Sequence, residues 1–435
     1  MPIFVPIERH KMKEILKNII VNFIEKELPA TKEREIELPA DSGKIISIVG
    51  ARRTGKTFLL YSLIKKLRDR VARDRIIYIN FEDDRLFPAS LKTMDIFLES
   101  YYELYPDNRN KTVFFFFDEI QEIGKWELFI RRLYDTENCS IFITGSSSKL
   151  LIKEVSTALR GRSISYELFP LSFREYIRFR DIDIKKYSSR SSSKIVNTFN
   201  EYLFSTAFPE LINMQEDLKR KALNEYLDLI IYKDIVEKYN VSNIYLMKYL
   251  VKFLFSNSAN LISINKIFNE MKSAGLNISR NSVYEYISYL EDSYTIFSLP
   301  LFTRNLREQR RNPNKYYSID TGLRMAMTIS EDRGKLLESL VYLQLRRQHE
   351  NVFYYLADQE IDFITETEKK LQLINVCYDL TTSGTRKREI SGLVNAMKEM
   401  KLKNSFLLTS DESGEEIIDN KRIKIVPVWK WLLDL

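Results

Sequence analysis

Residues 45–57 read Ile45-Ile46-Ser47-Ile48-Val49-Gly50-Ala51-Arg52-Arg53-Thr54-Gly55-Lys56-Thr57. The first five form an apolar run of the kind that fills a buried strand. The eight from Gly50 onward match the pattern G-x-x-x-x-G-K-[ST]. Phe58, Leu59, Leu63 and Leu67 then recur at helical spacing. Strand, glycine-bounded loop and helix, in that order, make a cradle for phosphate. The glycines let the backbone curl so that successive N–H groups face an anion, and the helix N-terminus adds a favourable dipole. On this reading the loop from Gly50 to Thr57 binds ATP. Lys56 reaches the β and γ phosphates, and Thr57 holds Mg²⁺.

Outward from the loop, Val113-Phe114-Phe115-Phe116-Phe117-Asp118-Glu119 is an apolar strand that ends in two acids. Asp118 is expected to orient Mg²⁺ and its waters, and Glu119 to polarise the attacking water. The next strand ends Ile143-Thr144-Gly145-Ser146-Ser147-Ser148. A hydroxyl there lies between the catalytic acid and the γ-phosphate, and either Ser146 or Thr144 fits that place. Arg160-Gly161-Arg162 follows. One of these arginines is a candidate to neutralise transition-state charge, in cis or from a neighbouring subunit. The alternative is a solvated basic turn.

Strand-like runs at 45–49, 76–81, 113–117 and 141–144 alternate with amphipathic helices, which predicts a parallel sheet covered on both faces. Met12, Ile15, Leu16, Ile19, Ile20, Phe23 and Ile24 mark a helix ahead of them. Residues 34–38 read as a short strand. A Ser-, Arg- and Lys-rich stretch at 187–193 marks a boundary or exposed loop, and 200–255 reads as helical.

A chain of 435 residues exceeds one core, so two or three domains are expected. The 67 basic against 60 acidic residues leave only a modest excess, so nucleic-acid binding must come from local clusters. Two cysteines and two histidines exclude a disulfide framework, a zinc knuckle and histidine-rich catalysis. A reducing cytoplasm fits this composition. No leader or membrane span is expected, since the apolar runs are broken early by charge.

Ile264, Ile267, Phe268 and Met271 share one helical face, and Ser279 caps a second helix carrying Val283, Ile287 and Leu290. Strands at 295–302 and 316–319 then suit a wing. Between them lie Arg304, Arg307, Arg310, Arg311 and Lys315. With Arg280, these predict phosphate contacts to DNA. A packing lid that relays nucleotide state is the alternative. Glu285, Glu291 and Asp292 argue against base reading by the second helix.

Together these landmarks resemble the AAA+-like ATPases that carry a winged helix and a C-terminal restriction-endonuclease-like domain. The resemblance rests on VGARRTGKT (49–57), YINFEDDRL (78–86), FFFFDEIQ (114–121), ITGSSSKLL (143–151), LRGRSISYELFPLSFREY (159–176), YYSIDTGL (316–323) and EIDFI (360–364). It spans about residues 45–363. At Thr206-Ala207-Phe208-Pro209-Glu210 the chain departs from that family, which often has two glycines before FPE.

For the C-terminal part, the resemblance implies an acid on a helix, Glu338, and an Asp on a strand, Asp362. It also implies an acid-x-Lys on the next strand, all serving Mg²⁺-dependent cutting. Here that third element reads Asn375-Val376-Cys377. The site is therefore expected to be degenerate.

The expected architecture is α/β. It has an AAA+-like P-loop core at 1–180, a helical and winged-helix middle at 181–318, and a degenerate nuclease-like domain at 319–435. The leading function is ATP hydrolysis coupled to DNA binding or remodelling by a homo-oligomer, with no membrane partner. The alternatives are a slow nucleotide switch that assembles protein partners, and an ATP-regulated nuclease.

Overall fold

The fold was read from a computed structural model that describes residues 9–146, 157, 159–182, 189–328, 332–356, 358–367 and 370–435. It divides into two compact units, Met1–Leu168 and Phe169–Leu435.

The first unit is built on one sheet of five strands: β1 (Ile45–Gly50), β2 (Ile76–Asn80), β3 (Val113–Asp118), β4 (Cys139–Ser146) and β5 (Ser163–Glu167). Their order is β2-β3-β4-β1-β5, and every pair is parallel. The helices are α1 (Arg9–Glu25), α2 (Lys56–Arg68), α3 (Leu91–Leu104) and α4 (Trp126–Thr136). All of β3 is buried. Alternate side chains of a strand point to opposite faces, so its four phenylalanines serve two layers. Phe116 stacks on Phe142 at 4.6 Å, in a cluster that takes in Phe23 of α1 and Leu60 and Ile64 of α2. On the other face, Phe97 of α3 meets Phe115 and Phe117 edge-on at 6.3 and 5.9 Å. Phe129 of α4 meets Phe117 at 6.3 Å. Each fully buried phenylalanine stabilises the fold by about 1.5–3 kcal/mol.

Two details differ from the sequence expectation. Residues 34–38 do not join the sheet; the Arg34 guanidinium donates to the Thr54 carbonyl at 2.8 Å and holds that segment by a side chain. The sheet also gains β5, an edge strand whose residues are only partly buried.

In the second unit the expected helical stretch consists of helices Ser189–Phe204, Glu216–Leu229 and Ile244–Ser256, with a π-helical segment Ile230–Glu237, and the first of these begins inside the stretch 187–193 that its composition marked as a loop. Helices Ile264–Ser273 and Arg280–Asp292 follow, and Ser279 caps the second by accepting from the Ser282 amide at 3.0 Å. Strands β6 (Ile296–Leu299) and β7 (Lys315–Ser318) pair antiparallel. The short helix Leu306–Arg311 lies between them.

Six further strands form a mixed sheet: β8 (Val352–Leu356), β9 (Glu360–Thr367), β10 (Lys370–Cys377), β11 (Asn404–Thr409), β12 (Gly414–Ile418) and β13 (Lys421–Pro427). The order is β12-β13-β11-β10-β9-β8. Helix Ser383–Glu399 packs Leu393 and Met397 onto Ile364, Leu373 and Leu407 of this sheet.

The motifs at 206–210 and 316–323 meet in this unit. Asp320 accepts from the amides of Ala207 and Leu323 at 2.7 and 2.8 Å. A Cβ on Gly322 would come within 2.6 Å of the Thr206 nitrogen. The chain departs from the family pattern at 206–207, and here the backbone at 206–207 is fixed by Asp320 and by the missing side chain at 322.

Candidate nucleotide-binding site

The loop leaves β1 at Gly50, whose φ of +150° lies in a region that disfavours side chains. A Cβ there would sit 2.2 Å from the Leu168 carbonyl oxygen, so no other residue fits. Lys56 is buried and donates to the carbonyls of Gly50 and Ala51, each at 3.0 Å. The Thr54 hydroxyl closes the turn on the Ala51 carbonyl at 2.9 Å. Arg53 is exposed, whereas Arg52 is half-buried and faces Glu82 at 3.5 Å.

Residues 61 positions apart meet at the end of the loop: the Thr57 hydroxyl donates to Asp118 Oδ2 at 2.7 Å. The same oxygen accepts from the Tyr78 hydroxyl at 2.7 Å. Thr144 Oγ1 donates to Asp118 Oδ1 and accepts from the Glu119 amide at 3.1 Å. Thr144 is therefore the hydroxyl between the two acids; the Ser146 side chain lies outside the described residues. Glu119 holds a left-handed backbone, φ 52° and ψ 48°. Such a conformation is uncommon for a non-glycine residue and costs on the order of 1 kcal/mol or more. Its carboxylate accepts from the Gln121 amide at 2.6 Å. A hydroxyl and a carboxylate side by side are hard oxygen donors, which fit Mg²⁺.

Tyr78 escaped the sequence reading, because a tyrosine in a buried strand reads as core. Burial first, and then the Asp118 charge, push its hydroxyl far above the usual tyrosine range. It remains a donor at any physiological pH. A cavity of about 360 Å³ flanks α2, lined among others by Arg34, Glu37, Leu63 and Arg70, but by no residue of the loop 50–57.

Arg160 and Arg162 lie elsewhere. Ser163 of β5 sits beside Ile45, at the start of β1. The loop follows the other end of that strand, roughly 17 Å away for five residues of extended chain. Action in cis on a phosphate in this loop is thereby excluded for both. Arg162 pairs with Asp135 at 3.0 Å, and Arg160 is exposed.

In the second unit, Arg304, Arg307, Arg310 and Arg311 are exposed and form no ion pair among the described residues. Arg280 is exposed and lies over the Phe268 ring at 5.3 Å. Lys315 does not belong with them. It is 1% exposed, and its ammonium touches Glu338 at 2.7 Å, Glu360 at 2.5 Å and Asp362 at 2.9 Å. A group so buried cannot meet a phosphate backbone.

Glu338 lies on helix Arg333–Gln348, Asp362 in β9, and Asn375 and Cys377 in β10. Asn375 accepts from the Asp362 amide at 3.2 Å and donates to Glu389 at 3.0 Å. Burial pushes the Cys377 thiol up to about 11, so it is neutral at physiological pH. Lys315, expected from the sequence to contact DNA, and Glu389, which no motif marked, complete the surroundings of the expected acids.

Fold and loop together define the class, a P-loop protein with an AAA-type ATPase core. A sequence profile described as an AAA domain matches residues 42–177. Two described as domains of unknown function, DUF8612 and DUF4143, match 196–333 and 333–431. The uncharacterized protein MJ1544 of Methanocaldococcus jannaschii is 39% identical over 413 residues, covering 92% of this chain and 90% of that one. This chain belongs to the same family as that protein. An uncharacterized protein of Haemophilus influenzae is 27% identical over 398 residues, 90% of this chain and 95% of its own. Among solved structures, the chain is similar to a Walker-type ATPase of Pyrococcus abyssi, with a TM-score of 0.42 and 15% identity, covering 69% of this chain and 99% of that one. It is also similar to the Aeropyrum pernix ORC1 protein in complex with DNA, with a TM-score of 0.32 and 13% identity, covering 76% and 94%. At these scores neither structure fixes a function. No helix among the described residues is long and apolar enough to cross a membrane.

Proposed function

We propose that this protein binds ATP with Mg²⁺, hydrolyses it, and couples turnover to contact with DNA. The observation that carries the nucleotide reading is the hydrogen bond from Thr57 to Asp118 beside the buried Lys56. It joins the end of the phosphate loop to the acid of a distant strand. In this reading the loop amides and Lys56 hold the phosphates, and Thr57 and Asp118 hold Mg²⁺. The bound ion supplies charge neutralisation at the β and γ phosphates. Thr144 and the strained Glu119 backbone aim the Glu119 carboxylate, which positions the attacking water.

The DNA reading rests on the four exposed arginines around helix Leu306–Arg311, carried by a hairpin next to helices Ile264–Ser273 and Arg280–Asp292. We read that group as a winged helix and the part from 319 onward as a nuclease-like domain that does not cut. The exposed Arg160 favours a homo-oligomer in which it reaches a neighbour's phosphates. We place the protein in the cytoplasm, where ATP is supplied and two free cysteines stay reduced.

The test is ATP binding and turnover in the wild type and in Lys56→Ala, with and without single-stranded, duplex and branched DNA. Loss of a charge-assisted contact of about 1.5–3 kcal/mol should weaken ATP binding roughly 10- to 150-fold. Equal affinity in the two proteins would remove the nucleotide assignment. Turnover indifferent to all three DNAs would leave a protein-assembling switch instead.

A further inference from the structure

The resemblance implies a divalent cation in the C-terminal domain, and the residues present do not fit one. Glu338 Oε1 accepts from Lys315 at 2.7 Å and from the Tyr317 hydroxyl at 2.7 Å. Asp362 Oδ1 accepts from Lys315 at 2.9 Å, and Asp362 Oδ2 from the Val376 amide at 2.9 Å. The oxygens that would bind a metal are thus already engaged. The position an acid would take on β10 is an amide, Asn375, turned toward Glu389.

We propose that Lys315 is a resident counter-ion standing in for the metal, so that this carboxylate cluster is complete without a divalent cation. The ammonium comes from outside the domain's own strands. Lys315 opens β7, where it pairs with Leu299 of β6. Its backbone is held by that ladder, which keeps the stem of the side chain beside the cluster. Two residues on, Tyr317 stacks on Tyr342 at 4.2 Å and fixes the same strand against helix Arg333–Gln348. The cluster therefore also ties the hairpin carrying the basic turn to β9 and to that helix. A buried carboxylate pair that loses its cation is strongly destabilised, so removing the ammonium leaves a vacancy with the charge and the oxygen ligands that a divalent ion seeks.

The inference deepens the reading of this domain as a nuclease-like one without chemistry, and it does not depend on the ATPase assignment. The test titrates nucleotide-free, full-length protein with Mn²⁺ and reads free Mn²⁺ by electron paramagnetic resonance. Wild type and Asp362→Asn are expected to bind the same amount. Lys315→Met, whose side chain is uncharged and one atom shorter, so that the place of the ammonium is left open, is expected to gain a Mn²⁺ site that Lys315→Met with Asp362→Asn lacks. A Mn²⁺ site in the wild type that Asp362→Asn abolishes overturns the proposal. So does a folded Lys315→Met with no added site. If Lys315→Met is unfolded without metal, Mn²⁺ should restore its circular-dichroism melt, and failure to do so counts against the inference. ATP turnover of the same samples, measured separately, shows whether the phosphate loop is intact.

Discussion

With Asp118 accepting from Thr57, Tyr78 and Thr144, a fully buried carboxylate has both oxygens committed. On the proposed reading, Mg²⁺ would share Asp118 with these neutral hydroxyls, and Thr57 is the partner positioned to follow the metal. The proposed function gives Glu119 a different task. Its backbone is strained and its carboxylate is half-exposed, which suits a group that acts on water and not on the ion. Glu119→Gln is expected to keep ATP affinity and to slow hydrolysis by about a hundredfold or more; undiminished single-turnover hydrolysis would refute that role. Glu338 gives a test by pH. Burial and Asp362, against the pull of Lys315, raise its carboxyl from an ordinary 4.5 to about 7. The folded state then holds a proton that the unfolded state releases between those values. The contribution of this group is fully present below about 4.5 and is lost as pH rises through 7. Asp320, pushed by burial to about 6, acts in the same direction. The melting temperature of Glu338→Gln, measured against wild type from pH 5 to 8, should therefore fall less steeply with pH.

At the scale of elements, the exposed helix Leu306–Arg311 and the buried strand that follows it carry opposite kinds of basic residue. Neutralising Arg307, Arg310 and Arg311 together should weaken DNA binding and reduce its salt dependence by about one unit of slope per lost phosphate contact. An unchanged slope in a filter-binding or anisotropy titration would favour a packing lid. Lys315 shows why the sequence misled here. Along the chain it continues a run of arginines, and only contacts 23 and 47 residues away reveal an ion cluster. The elements that were legible are those whose signal is local. The apolar strands β1 to β4 and the cap at Ser279 can be read from a few neighbouring residues. Strand β5 was missed because an edge strand buries only part of its surface, so Ser163-Ile164-Ser165-Tyr166-Glu167 lacks an apolar run. The phosphate loop and both acids were visible because the chemistry dictates residue type and spacing. Tyr78 was not, since its role exists only where β2 lies beside β3.

For the molecule as a whole, the proposed finger role of Arg160 or Arg162 would make hydrolysis a matter of assembly. Both stand at the start of the sheet, and the phosphate loop stands at its far end. Turnover per chain should then rise with protein concentration. An Arg160→Ala or Arg162→Ala protein mixed with a Lys56→Ala protein should recover activity that neither has alone. No loss in either arginine variant would end the finger hypothesis. The phenylalanine run of β3 has a consequence of another kind, for folding. Slide that strand by one residue against its neighbours, and a phenylalanine still fills most of its places on both layers. Hydrophobicity alone therefore barely tells the correct pairing from the slipped one. What separates them is the polar end of the strand. In the slipped arrangement Asp118 loses Thr57, Tyr78 and Thr144 and is left buried without donors. The acid assigned to the nucleotide in the proposed function thus also acts as the index mark that sets the sheet's alignment during folding.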